Sequence, residues 1–376
     1  MEHEQHDTPI DWAGRTDEVA EQVRAEVPEA DRTGKIPRGA FKLARETGLT
    51  MALVPVEAGG PGASHAEMGA ILRRLARTDP ATSLTLSMHS HLVAAQVWRH
   101  HHGMDASAVF DKVLGGAFLV STGASDWVSS TGSATKVDGG WVVSGRKAPA
   151  SGCEVGDVLV TSIRWDDAPD GPQVLHCTIP CAAEGVHVEQ TWDTLGLRAT
   201  GSHTVVIEDV FVPDAAVSLI RPADRWHPLL NAVLGAAMPL IMSAYAGMAD
   251  AAVEIATALA LGSTEDHRLQ LLGEMRNAHL AGTDAVDAML ASSDNLHFDN
   301  TDEHSAVTLA RKANACESLI ATVRLAVESS GGMGYTRSTD LERLFRDVHG
   351  CMFHPLPRAK QVRFTGRVSL GLDPIG

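Results

Sequence analysis

The chain has 376 residues, 44% of them hydrophobic, and a formal net charge of -16 with a pI near 5.5. That length and apolar content suffice for two or three packed units and do not suggest disorder. The acidic balance argues against nucleic acid or an anionic membrane as the main partner.

Cys153, Cys177, Cys181, Cys316 and Cys351 are odd in number and mostly scattered, as expected of reduced thiols in the cytoplasm rather than a disulfide framework. Cys177 and Cys181 with His176 have the residue types of metal ligands, but no second ligand pair accompanies them and no metal is expected. The polar, acidic N-terminus does not read as a secretory signal.

In chain order, residues 12–113 have helical periodicity: an acidic entry helix, then 38–47 ending at Gly48, 65–76 and 81–98. Residues 51–62 form a Gly/Pro-rich link. From 117 to about 217, alternating apolar and polar residues with Gly and Asp turns predict short strands. These are 134–144, with a hairpin signal at Asp138-Gly139-Gly140, the run on to Lys147, then 155–163, 173–179, 185–189 and 202–212. Helical texture resumes at 229–261, 266–292, 304–330, 338–352 and 360–369, with 294–302 as a loop. The segment 229–261 is long enough to cross a membrane, but Asp250 and Glu254 interrupt it and Ala and Gly dominate its later half, so a buried bundle helix is predicted. The fold class predicted is multi-domain α+β: an N-terminal α-helical domain at 1–114, a middle β-barrel or sandwich at 115–222, and a C-terminal α-helical bundle at 223–376.

The run Glu328-Ser-Ser-Gly-Gly-Met-Gly-Tyr-Thr-Arg-Ser-Thr-Asp-Leu-Glu-Arg-Leu-Phe-Arg-Asp347 reads as a helix end, a Gly turn and a new helix, followed by His354-Pro355. Gly331 and Gly332 put no side chain between the backbone and whatever packs there, and Gly334 is free to take a positive φ. Ser338 is expected to cap the next helix, where Arg346 and Asp347 are read as a structural pair. This run, the segment 195–213 and the apolar stretch ending in Pro55-Val-Glu-Ala-Gly-Gly60 resemble the acyl-CoA dehydrogenase superfamily over most of the chain.

The resemblance implies a flavin, FMN or FAD, lying between the β domain and the C-terminal bundle. Its contacts would be Val120, Ser121, Thr122 and Ser125 in the strand and turn at 119–126, Pro149 and Ser151 in the segment 147–153, and Glu328, Gly331 and Gly332 against a neighbouring subunit's flavin. A homotetramer is expected by the same resemblance.

The sequence departs from the superfamily's dehydrogenases where they carry a catalytic glutamate, because Phe353-His354-Pro355-Leu356 has no carboxylate. The alternative position for that base, near Gly235-Ala-Ala-Met-Pro239, is also apolar, and the Arg-x-x-Phe-Gly feature is missing from 262–268. The chain is more similar to the flavin-dependent monooxygenases on this fold, in which reduced flavin reacts with O2 and an oxygen atom passes to a substrate. That branch implies catalytic roles for His354, Ser151 and either His89 or His91, with Met238 and Phe353 lining a dry substrate pocket. It also implies a separate reductase supplying the reduced flavin. An FAD-dependent acyl-CoA dehydrogenase and a non-catalytic structural subunit are the alternatives; neither nucleic acid nor membrane is an expected partner.

Overall fold

A computed structural model describes residues 10–122 and 127–376. The N-terminal layer is helical: α1 (Trp12–Arg24), α2 (Val27–Thr33), α3 (Arg38–Glu46), α4 (His65–Ala76), α5 (Pro80–His101) and α6 (Ser107–Leu114). Helix α4 starts at a capping box in which Ser64 and Glu67 satisfy each other's backbone N–H groups. Helix α5 starts at Pro80 because Asp79 caps the N–H groups of Ala81 and Thr82, and proline at the first position gives up no needed donor. Most of α5 is buried, including the polar run from Ser87 to His91.

The middle layer holds β1 (Leu119–Ser121), β2 (Ser133–Val137), β3 (Gly140–Lys147), β4 (Val158–Trp165), β5 (Gln173–Pro180), β6 (Val186–Glu189), β7 (Thr204–Pro213) and β8 (Val217–Pro222). They make two four-stranded sheets, ordered β1-β4-β5-β8 and β2-β3-β7-β6, which share one apolar core containing Trp141, Leu159, Leu175 and Ile207. The β2–β3 hairpin turns at Asp138-Gly139, where Gly139 has φ 73°. Strand β8 gave no signal in the sequence because the one residue it buries is Arg221 rather than an apolar side chain. The Arg221 guanidinium donates to His176 Nε2 at 2.9 Å and to the carbonyls of Val128 and Trp127 at 2.9 and 2.7 Å. His176 is therefore a partner of Arg221, and no metal-ligating cluster occurs among the described residues.

The C-terminal layer comprises α7 (Pro228–Leu259), α8 (Asp266–Ser292), α9 (Asp302–Ser329), α10 (Gly332–Tyr335), α11 (Leu341–Val348), a 3-10 segment (His349–Phe353) and α12 (Arg358–Val368). Helix α7 packs against α4 and α5 on one side and α8 and α9 on the other, so it is buried almost all round. That placement explains its composition: the helix long and apolar enough to cross a membrane is here the core of the bundle.

Three local expectations are corrected. Helix α11 begins at Leu341 rather than after Ser338, whose hydroxyl bonds Thr336 Oγ1 at 2.5 Å, while Thr336 and Thr339 both donate to Met333 O. Gly331, not Gly334, takes the positive φ, at 57°; Gly334 is a close-approach position, where a Cβ would lie 2.5 Å from Val327 O. Arg346 and Asp347 do not pair with each other, because neighbouring residues on a helix point in different directions. Arg346 clamps Asp31 of α2 at 2.7 and 3.0 Å, whereas Asp347 accepts the Leu197 N–H at 2.6 Å and faces Arg343.

Candidate active site

Where the three layers meet lies a cavity of about 880 Å³, within the size range of small-molecule and cofactor sites. Its lining is mostly apolar, with Trp127, Trp192 and Trp226 presenting flat rings, and no Asp or Glu occurs among the described residues that line it.

His354 lines this cavity just beyond the 3-10 segment. Two residues from distant helices fix it. Tyr245 of α7, with none of its surface exposed, meets His354 Nε2 through its hydroxyl at 2.8 Å. Lys312 of α9, 3% exposed, donates from Nζ to the His354 carbonyl at 3.0 Å and to Leu356 O at 3.4 Å. Gly350 makes the first contact possible, since a Cβ there would stand 2.7 Å from the Tyr245 hydroxyl and 2.6 Å from Leu197 Cδ1. Burial, and secondarily the positive charge of Lys312 and the proximity of His91, push the His354 pKa down to about 3, so the imidazole is neutral at physiological pH. Burial holds the Tyr245 phenol well above its ordinary range and therefore protonated. Among the described residues Tyr245 has no other hydrogen-bond partner, so its O–H donates to Nε2 and the neutral ring carries its proton on Nδ1.

The facing wall is a chain of hydroxyls. Ser151 Oγ lies 2.8 Å from Ser202 Oγ, Ser202 Oγ lies 2.6 Å from Thr200 Oγ1, and Thr200 Oγ1 donates to the Leu197 carbonyl at 3.0 Å. A carbonyl only accepts, so the Thr200 proton is committed there. Ser202 must then donate to Thr200 and Ser151 to Ser202. The Ser151 oxygen is left facing the cavity as an acceptor. Gly152, at φ 76°, holds this turn close to α5 and β1: a Cβ there would meet Thr85 Cγ2 at 2.8 Å and Phe118 Cε1 at 3.1 Å.

Of the other residues singled out from the sequence, Pro149 and Phe353 line the cavity, Phe353 with 72% of its surface exposed. Met238 does not line it. It is 1% exposed in the bundle core, because its stretch of α7 faces neighbouring helices.

His89 is also away from the cavity. Its Nε2 donates to Thr50 O at 2.7 Å, its Nδ1 accepts the Leu119 N–H at 2.8 Å, and the ring stacks on Phe118. Both ring nitrogens are spent on backbone, which makes His89 a clamp between α5 and β1. His91 donates from Nδ1 to Ser87 O at 3.2 Å and has no partner at Nε2 among the described residues, so of the two histidines only His91 keeps a ring nitrogen available. Burial lowers the pKa of both to about 4.

Val120 points into the β core and Thr122 bonds Thr161 at 2.6 Å; neither they nor Ser121 line the cavity, and Ser125 lies outside the described residues. Glu328, Gly331 and Gly332 are exposed at the end of α9, away from this cavity, with Glu328 bonded to Arg324.

Sequence reasoning missed Tyr245, Lys312, Thr200 and Ser202. Tyr245 left a faint trace, as the lone phenol in the apolar run of α7.

Comparison with known proteins agrees with this architecture. Residues 15–105 match the acyl-CoA dehydrogenase N-terminal domain and residues 232–353 the acyl-CoA dehydrogenase C-terminal domain. The chain belongs to the acyl-CoA dehydrogenase superfamily. It is 29% identical to the L-evernosamine nitrososynthase of a Micromonospora species, covering 97% of this chain and 92% of that protein. It is 25% identical to the putative acyl-CoA dehydrogenase YdbM of Bacillus subtilis, covering 93% and 94%. Among solved structures, KijD3 in complex with FMN and dTDP-3-amino-2,3,6-trideoxy-4-keto-3-methyl-D-glucose superposes with a TM-score of 0.86 at 27% identity, over 96% of this chain and 93% of that one.

Proposed function

We propose that the protein is the oxygenase of a two-component flavin monooxygenase, taking reduced FMN or FAD from a separate reductase and using O2 to hydroxylate a small organic substrate at carbon or nitrogen. We place it in the cytoplasm as a homotetramer. The observation that carries the reading is the composition of the cavity: a half-buried His354 bonded to the buried Tyr245, and no carboxylate among the described lining residues to act as the base of a dehydrogenase. Similarity to a nitrososynthase supports nitrogen as one acceptor atom.

The donor set fits a reduced flavin. A reduced isoalloxazine carries an N–H at N5 where the oxidised ring has a bare nitrogen, and the one-way hydroxyl chain leaves Ser151 as an acceptor. The tryptophan walls suit a flat ring. When bound, reduced flavin supplies the electrons that activate O2.

The protein's own part is to position and to move protons. Ser151 accepts a hydrogen bond from the ring. His354, neutral and protonated on Nδ1, donates a hydrogen bond toward a developing oxygen anion; if that proton is passed on, the Tyr245 proton moves to Nε2 so that the ring stays neutral, and the phenol is reprotonated from solvent before the next turnover. Lys312 holds the His354 backbone in place. The apolar lining limits water at the reacting atoms.

Stopped-flow mixing of protein-bound reduced flavin with O2 tests the proposal. A transient absorbance and a reoxidation rate distinct from free flavin are expected. Kinetics identical to free flavin would contradict it, and anaerobic bleaching of bound oxidised FAD by an acyl-CoA would establish the dehydrogenase reading instead. Failure to bind flavin in either redox state would favour a structural subunit.

A further inference from the structure

Helix α12 carries Arg358, Lys360, Arg363 and Arg367 and no acidic residue, in a chain whose net charge is -16. Two of these cations are engaged: Arg358 with Glu317, and Arg367 with the Asp373 carbonyl at 2.5 Å. Lys360 and Arg363 are exposed, and their side chains have neither a hydrogen bond nor an ion pair with any described residue. Both line the cavity, whose described lining includes no Asp or Glu. They sit three residues apart on one helical face, and like charges at that spacing destabilise a helix slightly. The fold therefore gains nothing from placing them together. Phe364, between them and the core, packs edge-on against Trp226 at 4.8 Å and fixes the direction in which this face of α12 points.

We propose that Lys360 and Arg363 form a phosphate subsite of the cavity, holding the phosphate of a ligand whose ring lies against the tryptophans. The shared chemistry is a phosphate monoester or diphosphate, and it has two possible sources: the flavin's own phosphate, or a phosphorylated substrate. The first source rests on the flavin reading given above; the second does not. A compact dianion beside an ammonium and a guanidinium makes charge-assisted hydrogen bonds that an uncharged analogue cannot.

The experiment is anaerobic titration of wild type and the K360Q/R363Q double variant with reduced FMN, reduced riboflavin and inorganic pyrophosphate, at low and high salt. Thermal unfolding confirms that this surface variant is folded. Wild type is expected to bind at least one phosphate-bearing probe about tenfold or more tightly than the double variant, with the advantage shrinking at high salt. Loss of the FMN-over-riboflavin preference assigns the subsite to the flavin phosphate. Equal binding of FMN and riboflavin, together with pyrophosphate binding that the variant loses, assigns it to a substrate phosphate. If the variant keeps every phosphate-dependent affinity, or wild type shows none, the proposal is overturned. Absence of flavin binding alone strikes the flavin reading and leaves the pyrophosphate arm to decide this one.

Discussion

Two histidines, the buried His89 in the N-terminal layer and the half-buried His354 at the edge of the bundle, show how one side chain is put to two uses. Both are neutral because burial lowers their pKa, to about 4 for His89 and about 3 for His354. They differ in what their nitrogens meet. His89 spends both on backbone groups of separate elements, so its work is finished once the chain has folded. His354 spends Nε2 on Tyr245 and lines a cavity. A lowered pKa is common to the two; a polar atom left over beside a cavity distinguishes a chemical role from a structural one.

The largest expected effect that sharpens this contrast is in H354A. Removal of a positioned proton donor is expected to cost roughly 10²-fold or more in oxygen-transfer rate, with flavin affinity kept and consumed O2 diverted to hydrogen peroxide; coupling measurements check it. H89A should do the reverse. Leaving the Leu119 N–H and the Thr50 carbonyl unpaired in a buried site is expected to cost about 3 kcal/mol of stability, seen in denaturant unfolding, while turnover per folded molecule changes little. Y245F comes next, at roughly fivefold in rate, since a charge-neutral hydrogen bond is worth about 1 kcal/mol. Its effect should largely vanish in an H354A background if the pair acts as a unit.

A further expected effect concerns acid. The unfolded chain protonates its histidines near pH 6.5, whereas folded His89 resists until about pH 4. The stability that this group confers is thus fully present above pH 6.5 and is lost as pH falls through that window. Replacing His89 with Gln should flatten the acid side of the stability profile, and a wild-type slope identical to that of H89Q would break the comparison.

Much of the architecture was legible because long apolar periods dominate. The helices α7, α8 and α9 and the Asp138-Gly139 hairpin follow directly from their patterns. Strand β8 escaped because its buried residue is Arg221, and the start of α11 was misplaced because Thr336, Ser338 and Thr339 spend their hydroxyls on one another and on Met333. At the site, His354, Ser151, Pro149 and Phe353 could be named because they are local to motifs, and all four line the cavity. Tyr245 and Lys312 could not, since each reaches His354 across dozens of residues of helix, and a tyrosine in an apolar helix looks like core from sequence alone. Nor could periodicity separate His89 from His91, which stand two residues apart on a stretch of α5 buried throughout from Pro80 to His91.

The most direct test of the central claim is a crystal structure of the assembled protein with flavin bound. The account predicts the isoalloxazine ring in this cavity, its N5 edge within hydrogen-bond reach of Ser151 Oγ, and His354 beside the same ring. A ring bound elsewhere, or an Asp or Glu from any part of the assembly pointing at its substrate face, would contradict it.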